Sequence, residues 1–208
     1  MARRTKEDAL ATRHQLLDAA ERVFSDQGVS RTSLQDIAQA AGTTRGAIYW
    51  HFKNKADLFN AMMLRITLPM EEALHLIGHD PAQDPLEELQ RALLDVLRKI
   101  ATDERTRRVF EVATLKVEYV DELLAVKQRQ LQTQEAVTQH IQSSLRDAYA
   151  RRARDLTVPL AIAAQGLHAL VVGLIHTWLL APKAFDLVAM AAPVISAYLR
   201  GIGAAREP

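Results

Sequence analysis

The stretch SLQDIAQAAGTTRGAIYWHF, residues 33–52, decides the fold, because it contains two short helical patterns separated by a tight turn. Ser33, followed three residues later by Asp36, is a typical helix start. Gly42 ends this first helix, and Thr44 begins the second. Two short helices joined by AAGT form a helix-turn-helix, a motif whose second helix lies in the major groove when it binds DNA.

The second helix has an outward face of unusual composition. At 100° per residue, four of its residues fall within an arc of about 140°, namely Arg45, Gly46, Tyr49 and Trp50. Ile48 falls on the other side, so we expect it to anchor the helix with help from Phe52. A glycine costs about 1 kcal/mol relative to alanine inside a helix. That cost is explained if a side chain at position 46 would collide with DNA.

These residue types suit contacts with a duplex. Arg45 is the candidate for a base contact, since arginine donates well to the edge of guanine. Tyr49 and Trp50 can cover sugars and thymine methyl groups while their polar ends meet phosphates. Candidates for phosphate contacts are Ser33, Thr44, His51 and Lys55. A helix-turn-helix also occurs in proteins that never touch DNA, so the local pattern leaves DNA binding open.

Composition excludes several other classes of protein. The chain has 208 residues, 49% hydrophobic and 25% charged, which suits one large or two small globular domains. Without cysteine, disulfides, cysteine-ligated zinc and thiol catalysis are excluded. The net charge of +1 does not indicate a nucleic-acid binder, although Arg3, Arg4 and Lys6 make the N-terminus basic. Because residues 1–15 contain no apolar segment, we expect no signal peptide. The absence of cysteine fits a reducing compartment, so we expect a cytoplasmic location.

The rest of the chain predicts an all-α protein of about nine helices. An apolar helical face from Leu16 to Phe24 ends near Gly28. Asn54 caps a fourth helix, which Pro69 should kink or interrupt. The segment GHDPAQDP, 78–85, is predicted to be a loop. Further helices are predicted at about 86–101, 105–118, 121–152, 157–181 and 185–201. We therefore expect a helix-turn-helix domain over residues 1–55 and a larger helical domain over residues 56–208.

One segment is long and apolar enough to span a bilayer. No charged residue lies between Asp155 and Lys183. Pro159, Gln165 and His168 argue against a span, because polar groups in lipid need partners. A helix buried in a core or between subunits is the preferred interpretation.

A longer segment carries a family resemblance. TRHQLLDAAERVFSDQGVSRTSLQDIAQAAGTTRGAIYWHFKNKADLFNAM, residues 12–62, resembles the N-terminal domain of the TetR family of bacterial repressors. MARRTKE, RGAIYWHFKNKADL, ERTRRVFE and GLIHTWLLAP resemble the AcrR-like regulators of multidrug efflux pumps. The resemblance implies an all-helical homodimer with two DNA-binding heads on a ligand-binding body. The DNA-contact positions that it implies are Ser33, Thr44, Arg45, Gly46, Tyr49, Trp50, His51 and Lys55.

The resemblance also implies a mostly apolar ligand cavity among helices four to eight. The matching positions are Ile66, Met70, Leu93, Val96, Leu97, Phe110, Thr114, Val137, Ile141, His168, Val171, Val172 and Ile175. Ordinary core packing would give the same pattern. Related regulators hold charged residues at some of these places, where this chain has Val172 and His176, so no specific ligand chemistry carries over.

The last two helices are interpreted as a dimer interface, since pairing two apolar helices with their copies makes a four-helix bundle. The candidate interface residues are Leu167, Leu170, Leu174, Trp178, Val188, Ile195 and Leu199. The alternative is that these helices form the core of one chain. A two-fold partner also matches a palindromic operator.

Together these patterns predict a ligand-responsive transcriptional repressor, released from a palindromic operator by a hydrophobic small molecule. The alternatives are a helical small-molecule carrier without a DNA role, and an enzyme. No nucleophile motif, phosphate loop or metal-spaced cluster supports an enzyme, and we expect no cofactor and no metal. The pair His75 and His79 lacks the glutamate of a zincin motif and runs into a loop. Salt dependence should be strong, because the basic side chains would displace counterions.

Overall fold

Helices account for nearly all regular structure in the computed structural model, which describes residues 6–75, 77, 83–118, 120–152 and 154–205. Within these ranges there are nine α-helices and two short strands. The helices are α1 (Lys6–Gln27), α2 (Leu34–Ala40), α3 (Arg45–His51), α4 (Lys55–His75), α5 (Pro85–Thr102), α6 (Glu104–Leu115), α7 (Leu124–Arg151), α8 (Leu160–Leu180) and α9 (Leu187–Gly201). A 3-10 turn, Asp121–Leu123, precedes α7. The prediction of an all-α chain is confirmed.

A two-stranded pairing was missed by the sequence analysis. β1 (Arg154–Leu156) pairs antiparallel with β2 (Gly203–Ala205), with Asp155 opposite Ala204. Three-residue strands carry too little alternation to be recognised from sequence. The predicted helix at 157–181 is accordingly shorter, and α8 begins at Leu160.

Two compact units divide the chain. The first contains residues 1–67 and 108–131, and the second contains residues 68–107 and 132–208. Three helices, α4, α6 and α7, contribute residues to both units. The bounds of these two units differ from the predicted domain boundary at residue 55, which was placed at the end of the helix-turn-helix.

In the first unit, α1, α2 and α3 pack against one another around an aromatic and aliphatic core. The fully buried side chains include Leu16, Leu17, Phe24, Ile37, Ile48, Leu58 and Met62. The rings of Phe24 and Phe59 lie 6.0 Å apart between centroids. The apolar face predicted for the first helix is therefore its buried face.

The predicted helix starts in this unit are confirmed. Ser33 and Asp36 form the reciprocal capping box at the start of α2. The side chain of Asn54 accepts from the backbone N–H of Asp57 at 2.8 Å at the start of α4. Gly28 ends α1 with a φ of 82°, a left-handed conformation that glycine adopts without strain.

In the second unit, α9 packs against both α5 and α8. Its core is aliphatic and includes the fully buried Leu89, Leu97, Ile100, Ile141, Leu145, Leu167 and Ile195. Tyr149 of α7 donates its hydroxyl hydrogen to the carbonyl of Leu199. This bond ties the end of α7 to the end of α9.

Candidate DNA-binding surface, ligand cavity and apolar face

The α3 helix is anchored as the sequence analysis expected. The side chain of Thr44 accepts from the backbone N–H of Ala47 at 3.2 Å and so caps the helix. Ile48 is fully buried and Phe52 nearly so. The backbone N–H of Phe52 donates to the carbonyl of Ile48 at 2.9 Å and closes the last turn. Two apolar side chains therefore hold one side of α3 in the first unit.

The other side of α3 presents aromatic rings and a guanidinium to solvent. Trp50 is 72% exposed and Tyr49 is 50% exposed, which is unusual for rings of this size. The guanidinium carbon of Arg45 lies 5.6 Å from the centre of the Tyr49 ring, within the range of a cation–π contact. The predicted outward face is confirmed.

Gly46 lies on this exposed face and is not required by packing within the chain. A Cβ atom at this position would meet only the Oγ1 of Thr44, at 3.9 Å, which is ordinary van der Waals contact. The protein itself therefore leaves room for a side chain at position 46.

Ser33 caps α2, and its two donors are already engaged. Its backbone N–H and its hydroxyl donate to Oδ2 of Asp36 at 2.8 and 2.7 Å. The backbone hydrogen bond from Ser33 and then the one from its hydroxyl lower the pKa of Asp36, so this carboxylate is ionised at neutral pH. A phosphate that approached Ser33 would compete with the carboxylate for both donors.

Lys55 lies at the start of α4, as expected, but its side chain points inward. The residue is 9% exposed, and Nζ donates to the carbonyls of Ser30 and Thr32 at 3.0 Å each. This geometry differs from the expected ammonium–phosphate contact, because the side chain bridges two carbonyls of its own chain. Sequence reasoning missed the arrangement, since nothing in the pattern marks those carbonyls as acceptors.

His51 follows the exposed rings at the end of α3. Its ring lies edge-on to Trp50, with 4.6 Å between the ring centres. The side chain is partly exposed.

The basic residues Arg3 and Arg4 lie outside the described residues.

A cavity of about 330 Å³ lies within the second unit, beside α5. Its apolar lining comes from Pro69, Met70, Ile77, Ala92 and Val96. Its charged lining comes from Glu88, Arg91, Asp95 and Lys99. The volume falls in the range of small-molecule sites. Of the predicted ligand positions, Met70 and Val96 line it.

The other predicted ligand positions are distributed over both units. Ile66, Phe110 and Thr114 belong to the first unit, and the remaining eight positions belong to the second. The buried members of the set, apart from Met70, are Ile66, Leu93, Leu97, Ile141, Val171 and Ile175. Thr114 and Val172 are exposed, and Phe110, Val137 and His168 are partly exposed.

His168 forms a polar contact between α8 and α7. Its Nδ1 lies 3.0 Å from the hydroxyl of Thr138, which donates its hydrogen to the carbonyl of Gln134 at 2.8 Å. That hydroxyl has a single hydrogen, so it accepts from Nδ1–H of the histidine. Burial lowers the pKa of His168 below its ordinary value of 6.5. The neutral ring therefore carries its proton on Nδ1 and leaves Nε2 as an acceptor.

His75 and His79 stay untested, because the side chain of the first and the whole of the second lie outside the described residues.

The predicted dimer residues need a correction. Leu167, Trp178, Ile195 and Leu199 are at most 5% exposed within one chain, so they belong to the core of the second unit. The other three predicted residues, Leu170, Leu174 and Val188, are partly exposed. The error arose because α8 is apolar all round, and such a helix does not reveal which side faces its own core.

The side of α8 that faces solvent is a different one. It consists of Ile162, Gln165, Ala169, Val172, His176 and Leu180, which recur every three or four residues. Ile162 and Leu180 are among the most exposed large aliphatic side chains. Met190, Pro193 and Ala197 form a similar exposed row on α9. We call these nine residues the apolar face.

By length and composition, α8 is the one described helix that could cross a membrane, although only 28% of its most apolar window is buried in the chain. Gln165 and His176 lie in the exposed row, where lipid would offer them no hydrogen-bond partner. Burial of this helix on all sides by its own chain is also excluded.

Comparison with known protein families gives two matches along the chain. Residues 16–62 match the family of bacterial regulatory proteins described as the tetR family, and residues 84–203 match the C-terminal region of MAATS-type transcriptional repressors. The chain belongs to the TetR family of transcriptional regulators. The protein is therefore a DNA-binding regulator with a helix-turn-helix, and the family is not one of enzymes.

Relatives of this TetR-family chain cover almost its whole length. The transcriptional regulator AcrR of Shigella flexneri is 42% identical over 192 residues, which cover 90% of this chain and 87% of the relative. NalD, the secondary repressor of the MexAB-OprM multidrug efflux pump in Pseudomonas aeruginosa, has a similar crystal structure with a TM-score of 0.84. NalD is 36% identical, and the match covers 95% of this chain and 98% of NalD.

A third relative has been solved with a small molecule. The SmeT–triclosan complex superimposes with a TM-score of 0.80 at 30% identity, over 95% of this chain and 98% of SmeT. SmeT is the repressor of the SmeDEF multidrug efflux pump of Stenotrophomonas maltophilia.

Proposed function

We propose that this TetR-family protein is a ligand-responsive repressor of a multidrug efflux operon, and that a hydrophobic small molecule releases it from a palindromic operator. The observation that carries the proposal is the exposed side of α3, where Arg45, Tyr49 and Trp50 face solvent while Ile48 is fully buried. Relatives that are named as repressors of efflux pumps support the choice of operon. A regulator of this kind acts in the cytoplasm.

The proposed DNA contacts start from α3. Arg45 reads a guanine, and the rings of Tyr49 and Trp50 cover sugars and thymine methyl groups. Gly46 lets the backbone approach the duplex closely. Phosphates are bound by Thr44 and His51 and by the start of α2 at Ser33, where the carboxylate of Asp36 has to release a donor. Lys55 belongs to this set by position, and its backbone N–H lies at the start of α4.

A palindromic operator requires a two-fold partner, and the apolar face supplies the surface for one. No charged residue occurs in α8, so a second copy can cover its exposed row without desolvating a charge. Pairing α8 and α9 with their copies makes a four-helix bundle. We therefore assign residues 1–55 to DNA binding and residues 56–208 to ligand binding and dimerisation.

The inducer is proposed to be a drug-sized amphipathic molecule. The cavity beside α5 offers it apolar contacts from Met70 and Val96 and charged groups at Glu88 and Lys99. Triclosan, which SmeT binds, is a suitable first probe.

Coupling between ligand and DNA is proposed to run through α4, whose residues 55–67 belong to the first unit and 68–75 to the second. Arg65 ties the first part of α4 to Asp18 and Glu21 of α1. Pro69 has no N–H, so the carbonyl of Arg65 receives no helical hydrogen bond from it. The helix can therefore bend just beyond the part that α1 holds. A coupling of about 1–3 kcal/mol would change DNA affinity by about 5- to 150-fold.

The DNA-binding proposal is tested by the double variant Arg45→Ala, Tyr49→Ala. Random-sequence duplexes are first selected on the wild-type protein, and affinity for the selected duplex is then measured by fluorescence anisotropy. We expect a loss of about 100-fold or more, because a bidentate base contact and a ring contact are both removed. Arg146→Ala, an exposed arginine of α7 in the second unit, is the matched control and should bind normally. Failure of the wild-type protein to select any duplex would refute the proposal.

The ligand proposal is tested separately by titrating the wild-type complex with triclosan. Release of the duplex is expected, and Val96→Trp should weaken the response by filling the cavity without changing affinity in the absence of ligand. If no compound from a panel of lipophilic drugs alters affinity, the release mechanism is wrong while DNA binding stands.

A further inference from the structure

The side chain of Lys55 is placed where a phosphate contact would not put it. Lysine ordinarily keeps its ammonium in water even when its stem is packed. Here the whole residue is 9% exposed, and two of its N–H groups are directed at carbonyl oxygens of the same unit. Burying an ammonium costs free energy unless hydrogen bonds replace its water shell. The two carbonyls supply that replacement.

Both carbonyls belong to the loop that leads into the helix-turn-helix. Ser30 and Thr32 lie between α1 and α2, and Ser33, the cap of α2, follows directly. The hydroxyl of Thr32 donates back to the carbonyl of Gly28 at 2.7 Å, and Thr32 itself is buried. The ammonium therefore connects the first residue of α4 to two loop residues that lie just before the cap of α2.

Two further hydrogen bonds hold the loop on its other side. The backbone N–H of Val29 donates to the carbonyl of Lys116 at 3.1 Å, and the hydroxyl of Ser30 donates to the carboxylate of Glu118 at 3.1 Å. The loop is thus held between the start of α4 and the residues that follow α6, all within the first unit. Since α2 packs on α3, we expect a shift of this loop to move α3 as well.

We propose that Lys55 is a positioning residue for DNA recognition, which fastens the Ser30–Thr32 loop and thereby places α2 and its cap, and that its ammonium neutralises no phosphate. The inference rests on the proposed function, because it presupposes that the protein binds an operator. It changes the role of one residue in the proposed contact set.

The two roles of Lys55 predict different salt dependence. Each phosphate that a cation neutralises contributes about 0.9 to the slope of log affinity against log salt concentration. Removal of a phosphate-binding ammonium lowers that slope, whereas removal of a positioning group lowers affinity at every salt concentration and leaves the slope unchanged.

The test compares Lys55→Met with Lys53→Met on the duplex selected by the wild-type protein. Lys53 lies two residues away and is exposed, so both variants lose one positive charge from the same segment. For Lys55→Met we expect a loss of about tenfold, on the scale of hydrogen bonds made by a charged group, with the wild-type slope. Lys53→Met should reduce the slope and retain affinity at high salt. A slope that falls by about one in Lys55→Met would overturn the proposal.

Two further variants separate positioning from a general effect on folding. Lys55→Arg can still donate to both carbonyls and should restore most of the affinity. Ser33→Ala in the Lys55→Met background should cost less than in the wild type, because both changes act on the start of α2. If the affinity losses of Ser33→Ala and Lys55→Met are additive, and the two variants share only a lowered melting temperature, the proposal is wrong.

A measurement on the wild-type chain keeps the inference testable if Lys55→Met does not fold. Lysines are acetylated in the free protein and in the DNA complex, and modification is read by mass spectrometry. Lys55 should be equally unreactive in both states, while Lys53 reacts in the free protein. Reactivity of Lys55 that is lost only on DNA binding would overturn the proposal while leaving the DNA-binding function intact. Failure of the wild type to bind any duplex would instead remove the proposed function.

Discussion

The two units of this TetR-family chain use charge in opposite ways. In the first unit, charged groups are part of both the interior and the exposed side of α3. Glu21 and Lys55 are the two buried charged residues in the part of the chain whose burial is described, and both belong to this unit. On its surface, a guanidinium accompanies the exposed rings of Tyr49 and Trp50.

The second unit excludes charge from its core and from the apolar face. Its buried polar residues, within the described ranges, are the uncharged Thr106 and Ser144. The exposed row of α8 presents aliphatic side chains with two polar residues, Gln165 and His176, and no charged one. Exposed apolar patches in general mark interaction surfaces, and the charge that accompanies each patch favours a different partner for it. Rings with a cation suit a polyanion, and an uncharged aliphatic row suits a copy of itself.

The largest expected effect comes from placing a charge on the apolar face. Ala169 lies in the middle of the exposed row of α8, so Ala169→Glu leaves the isolated chain nearly unchanged. At a dimer interface the carboxylate would lose its water, and the dimer dissociation constant should rise by about 100-fold or more. Analytical ultracentrifugation measures the change, and operator affinity should fall with it. Ala136→Glu, at an exposed position of α7, is the control; equal dimerisation of both variants would assign the apolar face another partner.

The next effect concerns the buried charge of the first unit. Arg65→Met removes an ion-pair partner of Glu21, whose carboxylate is buried at 2% exposure. We expect the free energy of unfolding to fall by about 3 kcal/mol, as for other buried pairs that lose one member. Denaturant titration measures this change.

The matched control for Arg65→Met is Arg98→Met, which breaks the Arg98–Asp95 pair of α5. Both members of that pair are more than half exposed, so the loss should stay below about 1 kcal/mol. Equal losses from the two variants would show that burial does not distinguish the charges of the two units.

How much the sequence reveals also differs between the two units. In the first unit, caps and periodicity predicted the helix starts at Ser33, Thr44 and Asn54. The helical spacing of 100° per residue also predicted the exposed face of α3, because short amphipathic helices have a clear polar side. In the second unit, the uniform hydrophobicity of α8 gave its length but not its orientation, so residues such as Leu167 were assigned to the wrong side. The inward position of Lys55 was not predictable either, since it depends on carbonyls that only the folded loop brings together.

A smaller effect is expected from His168, which is partly buried against α7. Burial lowers its pKa in the folded state below the ordinary value of 6.5, so the neutral ring contributes full stability above that pH. As the pH falls below 6.5, the unfolded chain binds a proton more readily and this stability is lost. The difference in melting temperature between wild type and His168→Gln should therefore shrink from pH 7.5 to pH 5.5. The control is His14→Gln in α1, an exposed position, and a difference that is constant with pH would contradict the assignment.

The smallest effect on stability is also the sharpest test of the α3 surface, because Gly46→Ala should change stability and DNA affinity in opposite directions. The added methyl group meets nothing closer than 3.9 Å in the chain, and alanine favours the helix by about 1 kcal/mol over glycine. Thermal stability should therefore rise slightly, while affinity for the selected duplex falls about tenfold or more because the methyl group occupies space that the duplex needs. Gly42→Ala should instead lose stability, since its φ of 65° strains any side chain. If Gly46→Ala is more stable and binds DNA as well as the wild type, the duplex does not approach α3 at this residue, and the partner of the exposed rings has to be sought elsewhere.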